Sequence, residues 1–230
     1  KQFDPEEFAK INWSTHTLFW VLASLVFLVI RHLAYANRLR ILSDYEFGWK
    51  KSIELIFIWE FSTSISPTSV GGSAVALFVL SQEKLSAAKT ATIVIYSVVL
   101  DSLFFVLFIP IFVFFLGNDV IHPSLVGKTE LNAIGVSFWT FYSIMVSYGS
   151  LFFYGLFINP KQIKRLLGGI TSFGFLKRWQ RKAIELGDNM VLTSEDMKNR
   201  SYYYHFSAFL FTAIAWSCRF ILLSCLIIAF

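Results

Sequence analysis

Ser62-Thr63-Ser64-Ile65-Ser66-Pro67-Thr68-Ser69-Val70-Gly71-Gly72-Ser73 is a polar stretch, bearing proline and glycine, set between two apolar ones. Residues 53–61 before it are rich in Ile, Phe and Trp, and residues 74–80 after it are wholly apolar. A helix running through would lose a backbone hydrogen bond at Pro67 and meet the flexible pair Gly71-Gly72 about one turn later. In water such a break is an ordinary loop. In a membrane it survives only where protein or a polar cavity satisfies the freed backbone groups. The fold therefore turns on which solvent surrounds this stretch.

Composition answers that question. Of 230 residues, 56% are hydrophobic and 15% charged, and the mean hydropathy is +0.60, too apolar for a soluble domain of this size. Several runs exceed the roughly 18 apolar residues that read as a spanning helix. The net charge of +5 gathers in two connecting loops, which suits anionic lipid headgroups at a bilayer surface and gives no nucleic-acid signal. Cys218 and Cys225 fall on one predicted helix, about 10 Å apart by rise per residue, too far to bridge. His16, His32, His122 and His205 are scattered, and HExxH, CxxC and nucleotide-binding glycine loops are absent, so no metal or other cofactor is expected. No secretory signal pattern precedes the first span. The last span reaches Phe230 without a flanking loop, and a segment of a longer protein is expected.

The apolar segments fall at about 13–35, 52–80 (broken), 88–116, 132–158 and 202–230. They predict one all-α domain over residues 1–230, a polytopic membrane helical bundle. Asp4-Pro5-Glu6-Glu7 reads as the start of a short interfacial helix reaching about residue 12. Thr193 and Asp196 read as a second helix start, and Pro110 is expected to kink the 88–116 span. The basic loops at 31–51 and 159–200 should both be cytoplasmic. A single crossing by 52–80 would put them on opposite sides. A hairpin turning at about residues 66–72 puts them on the same side. Its arms, roughly 21 Å and 14 Å long, fall short of a ~30 Å hydrocarbon core, which predicts a re-entrant helical hairpin. The alternative is one kinked helix.

The hairpin tip is the first candidate site. There one arm ends in free carbonyls, and the other begins with free N–H groups and the positive end of its dipole. Thr68, Ser69 and Ser73 add hydroxyls, and Gly71 and Gly72 open the backbone to a ligand, an arrangement suited to phosphate or another anion. A helix break whose hydroxyls bond back to the main chain is the alternative. Glu60 shares a helical face with Thr63, Ser64 and Pro67. Asp101 shares one with Ser97, and Arg219 with Trp216 and Thr212. Charges inside a bilayer need partners, and helical rise puts Asp101 and Arg219 at similar depth, so they are expected to pair near the tip. A structural ion pair and a substrate site remain equally open for them. Arg31 and Glu54 lie near span ends, where long side chains reach water. In residues 161–184, Ile163, Leu166, Leu167, Ile170, Phe173 and Leu176 alternate with basic residues, as in a helix lying on an anionic leaflet.

With Pro67, Gly71 and Gly72 spaced as Pro-x-x-x-Gly-Gly after a basic loop, and Asp101 on the following helix, the chain resembles the transmembrane region of lysylphosphatidylglycerol synthases. That family includes many stand-alone membrane proteins. The resemblance implies a polytopic membrane fold, and in some members a region that moves aminoacylated phospholipid between leaflets while a separate soluble domain makes it. Many members carry an Arg shortly before the Asp, where this chain has Tyr96, Ser97 and Val98. A second Pro/Gly element in the family falls beyond Phe230.

The reading that follows is binding and translocation of an anionic phospholipid or lipid-linked intermediate in a bacterial inner membrane. Pro67, Thr68, Ser69, Gly71, Gly72, Glu60, Asp101 and Arg219 are the expected substrate-binding residues. No catalytic residue is expected, and assembly into a homo-oligomer is open. The alternatives are an intramembrane enzyme acting on lipid-linked sugars, with Glu60 and Asp101 as acid and base, and an accessory scaffold.

Overall fold

A computed structural model describes residues 13–65, 69–83, 85, 87–116, 128–159, 161–162, 165, 168–169, 172, 177 and 180–230. Among these the chain is helical, without strands. The helices are α1 (Thr15–Leu42), α2 (Trp49–Ile65), α3 (Ser69–Ser81), α4 (Ala87–Leu116), α5 (Lys128–Phe153), α6 (Gln180–Lys198) and α7 (Tyr202–Ala229). A π-helical turn, Tyr154–Ile158, extends α5. Four stretches are long and apolar enough to cross a bilayer: Thr15–Leu42, Thr92–Phe115, Gly135–Phe153 and Tyr202–Ala229. In hydrocarbon a helix is the form that satisfies each of its own backbone groups, and these stretches carry mostly apolar side chains around their whole circumference.

Local chemistry sets the ends. The Ser14 hydroxyl accepts from the Thr17 N–H at 3.2 Å and starts α1. At the other end Asp44 and Tyr45 take positive φ (55° and 61°), and the Tyr45 N–H returns to the Arg40 carbonyl at 2.7 Å. The Arg40 guanidinium stacks on Trp49 at 4.3 Å, closing the turn into α2. Ser201 caps the last span, accepting from the Tyr204 N–H at 3.3 Å. Residues 193 and 196 lie inside α6, which continues through them. The first span also runs further than its apolar centre suggests, to Leu42 instead of about residue 35. Tyr35, Ala36, Leu39 and Leu42 keep a buried stripe going through the charged residues. Pro110 lies inside α4. The interfacial helix expected before residue 12 and the loop at 117–127 fall outside the described residues, as do the apolar positions read as a surface helix in 161–184.

The contacts between helix ends fix the topology. Trp13 meets Phe230 edge-on, with ring centroids 6.4 Å apart. At the opposite end Arg200 donates to both Asp44 oxygens, one at 2.8 Å. α1 and α7 therefore run antiparallel along their whole lengths, with the small residues Ala36, Ala208 and Ala215 fully buried, as close helix contact in lipid requires. Lys89, near the start of α4, also bonds Asp44. The chain thus leaves α1 at one end of the bundle and enters α4 at that same end. Lys51 near the start of α2 and Glu83 just past α3 pair at 2.6 Å, at the base of the α2–α3 pair. The Glu83 carboxylate pushes the Lys51 pKa up. That contribution is present below lysine's ordinary pKa and disappears only as pH rises through the raised value.

This arrangement puts the 42–51 turn, Glu83 and the described flanks of the 159–200 connection, Phe157 and Arg200, at one end. Substituted-cysteine labelling in sealed vesicles should therefore show Lys50→Cys, Gln82→Cys and Lys177→Cys reacting from one side and Lys128→Cys from the other. Labelling of position 82 from the side of position 128 would contradict the hairpin.

Candidate functional site

Two ion-pair clusters lie among the helices, and α1 supplies the cations of both. In the first, Asp101 of α4 accepts from Arg38 Nη1 at 2.6 Å and from the Trp216 indole N–H of α7 at 3.0 Å. Arg38 also donates to the Thr212 hydroxyl at 3.2 Å. Arg38 is only 5% exposed. Three spanning helices thus converge on one carboxylate and one guanidinium. An ion pair of this kind resists water only when each charge also has hydrogen-bonding neighbours, as both do here.

The second cluster fastens the hairpin. Glu60 of α2 bonds Arg31 through one oxygen and His32 Nδ1 through the other, the latter at 3.1 Å. The other ring nitrogen of His32 lies 3.2 Å from the Ile53 carbonyl, about two helix turns nearer the start of α2. Tyr35 links the clusters: its buried ring lies 5.9 Å from the Arg31 guanidinium carbon and 4.8 Å from that of Arg38. Arg31, Tyr35 and Arg38 stand at i, i+4 and i+7, on one face of α1.

Asp101 and Arg219 do not pair as expected. Arg38 takes the carboxylate, while the exposed Arg219 lies over the Trp216 ring, 5.0 Å from its centroid. The reason lies in side-chain direction as well as helical rise. Helical side chains lean toward their own N-terminus, so Arg38 leans from the end of α1 into the bundle, and Asp101 leans back toward that same end. Counting depth along the backbone alone misses this convergence. Arg31 likewise does not reach for water, since Glu60 holds it. Thr212 and Trp216, read from the sequence only as neighbours of Arg219, are instead partners of the Arg38–Asp101 pair.

At the tip, Pro67 and Thr68 lie outside the described residues. Ser69, Gly71 and Gly72 fall in the first turn of α3. On the approaching arm, the hydroxyls of Ser62, Thr63 and Ser64 bond the carbonyls of Ile58, Trp59 and Glu60 at 2.6, 2.9 and 2.9 Å. They donate back to their own helix, which leaves their oxygen lone pairs open to a donor. Among the described residues no cluster of His, Cys, Asp and Glu could hold a metal ion.

The family model described as Lysylphosphatidylglycerol synthase TM region matches residues 1–230. A UPF0104 membrane protein of Archaeoglobus fulgidus is 30% identical over 115 residues, which are 47% of this chain and 35% of that protein. The match thus spans about a third of that relative's length. No solved structure matches the chain.

Proposed function

From the premise that this chain belongs to the lysylphosphatidylglycerol synthase transmembrane-region family, we propose that it binds an anionic phospholipid or lipid-linked intermediate and moves it between leaflets. The observation that carries this reading is the pair of charge clusters joined through Tyr35. They tie a helical hairpin, whose arms are too short to span, to three spanning helices. A protein needing only to sit in a membrane gains little from five charged or polar groups placed in its interior, since each must be desolvated and matched.

In this reading the hairpin enters and leaves the bilayer from one side, and its tip, with Pro67, Thr68, Ser69, Gly71 and Gly72, meets the substrate headgroup. Arg219 supplies a charge for it, while Glu60 and Asp101, held by Arg31 and Arg38, position the helices that line its path. The basic turn and connection face the cytoplasm of a bacterial inner membrane. The family's lipid chemistry and the anion-binding character of a helix N-terminus support the assignment. The test is a leaflet-resolved assay with the full-length protein in liposomes carrying fluorescent phosphatidylglycerol. Protein-dependent loss of label to an external quencher is expected. A chemical product formed from a lipid-linked sugar, without leaflet exchange, would instead establish the enzyme.

A further inference from the structure

Arg219 lies inside a spanning helix and outside both clusters, and the geometry points to it as the contact for the phosphate ester of a membrane lipid that reaches the bundle sideways through the bilayer. This inference rests on the lipid-handling reading and names the group on the substrate that is recognised. Arg31 and Arg38 each have a carboxylate, whereas among the described residues Arg219 has only the Trp216 ring. It stands about 25 Å from the Tyr202 end of α7, at the rise of a helix. Its guanidinium lies over Trp216, one turn toward that end, on an indole whose N–H is fixed by Asp101.

A cation held inward over an aromatic face gains part of what water would give it, and an anion must supply the rest. The surroundings say what kind of anion. Phe220, Ile221, Leu223 and Ile227 are exposed beside it, so the surface is apolar apart from one guanidinium. That pattern matches an amphiphile, with phosphate oxygens on the planar fork of the arginine and acyl chains along the aromatic and branched side chains. A second copy of the chain fits less well. Neither α7 nor its neighbour α1 contains an acidic residue, so packing that face against itself brings no carboxylate to Arg219.

The test uses the full-length protein in bilayers containing spin-labelled phosphatidylglycerol or spin-labelled phosphatidylcholine, reading the immobilised fraction of each. Arg219→Gln should lower the preference for phosphatidylglycerol about fivefold, the factor typical of one basic residue near anionic lipid. Arg219→Lys should restore much of it. Leu223→Glu supplies an internal carboxylate one turn away, leaning toward Arg219. It should give the same loss with the arginine still present and the local charge balanced. An unchanged lipid preference in both Arg219→Gln and Leu223→Glu would overturn the inference. So would release of the label by excess soluble glycerol phosphate, or a change in oligomeric mass on Arg219→Gln with lipid preference intact. Leaflet exchange measured in the same vesicles separates the two readings. Exchange that persists with lipid preference indifferent to Arg219 defeats this contact alone. A preference that depends on Arg219 in a wild-type protein without exchange upholds the contact and defeats translocation.

Discussion

Asp101→Asn should destabilise the bundle by about 3–5 kcal/mol, the range for stranding one member of a buried ion pair. The stranded group would be Arg38, which is 5% exposed and has Thr212 and the Tyr35 face as its remaining neighbours. Arg38→Gln should also destabilise but by less, because Asp101, left with the Trp216 N–H, is half-buried where Arg38 is buried. The double variant removes both charges and should recover much of the loss. Reversible unfolding in mixed micelles, run as a double-mutant cycle, measures the coupling. The same cycle between Asp101 and Arg219 should be close to additive, since Trp216 separates them. Strong coupling there, with additivity between Asp101 and Arg38, would mean that the convergence on Arg38 is wrong.

Membrane character, the number of spans and the break near Pro67 were all legible, because hydropathy and helix-breaking residues act locally. The same-side placement of the two basic loops was read from charge alone; in the structure Asp44 of the first meets Arg200 at the end of the second. The site was legible only in half. Asp101 and Glu60 stand out as lone acids in apolar runs, and their need for partners is general physics. The identity of those partners was hidden by the reading of residues 36–42 as loop. The clustered charges Arg31, His32, Arg38 and Arg40 look like a span end, yet Ala34, Ala36, Leu39 and Leu42 keep helical spacing through them. A helical wheel drawn as far as Leu42 places Arg31, Tyr35 and Arg38 on one face, which was the available signal. That Arg38 rather than Arg219 reaches Asp101 depends on helix direction and side-chain lean, and so on the topology as a whole. The positive φ at Asp44 and Tyr45 carries no sequence flag, since neither residue is glycine.

The other large effect is expected at Glu60, where the structure changes what a substitution should do. Read as an isolated headgroup contact, Glu60 would tolerate Gln with modest loss. Held between Arg31 and His32, it is the fastening of the hairpin arm to α1, and Glu60→Gln leaves Arg31 without its carboxylate. The arm should loosen, and leaflet exchange of phosphatidylglycerol by the full-length protein should fall by about tenfold or more, as expected when a binding element loses its rigid support. The neutral pair Arg31→Gln with Glu60→Gln decides between a fastening and a chemical role. If Glu60 positions the hairpin, removing the stranded cation relieves the cost, and exchange should recover in part. If Glu60 transfers a proton in an intramembrane reaction, the double variant still lacks the acid, and the rate should stay down by about 10²–10⁴-fold. Gly71→Val and Gly72→Val supply the complementary measurement at the tip. Branched side chains in the first turn of α3 would crowd a headgroup bound to its N–H groups, lowering exchange while the Glu60 fastening stays intact. Loss of exchange at both the fastening and the tip, with recovery only in the neutral pair, is the pattern that a positioned hairpin requires and that an acid–base pair would not produce.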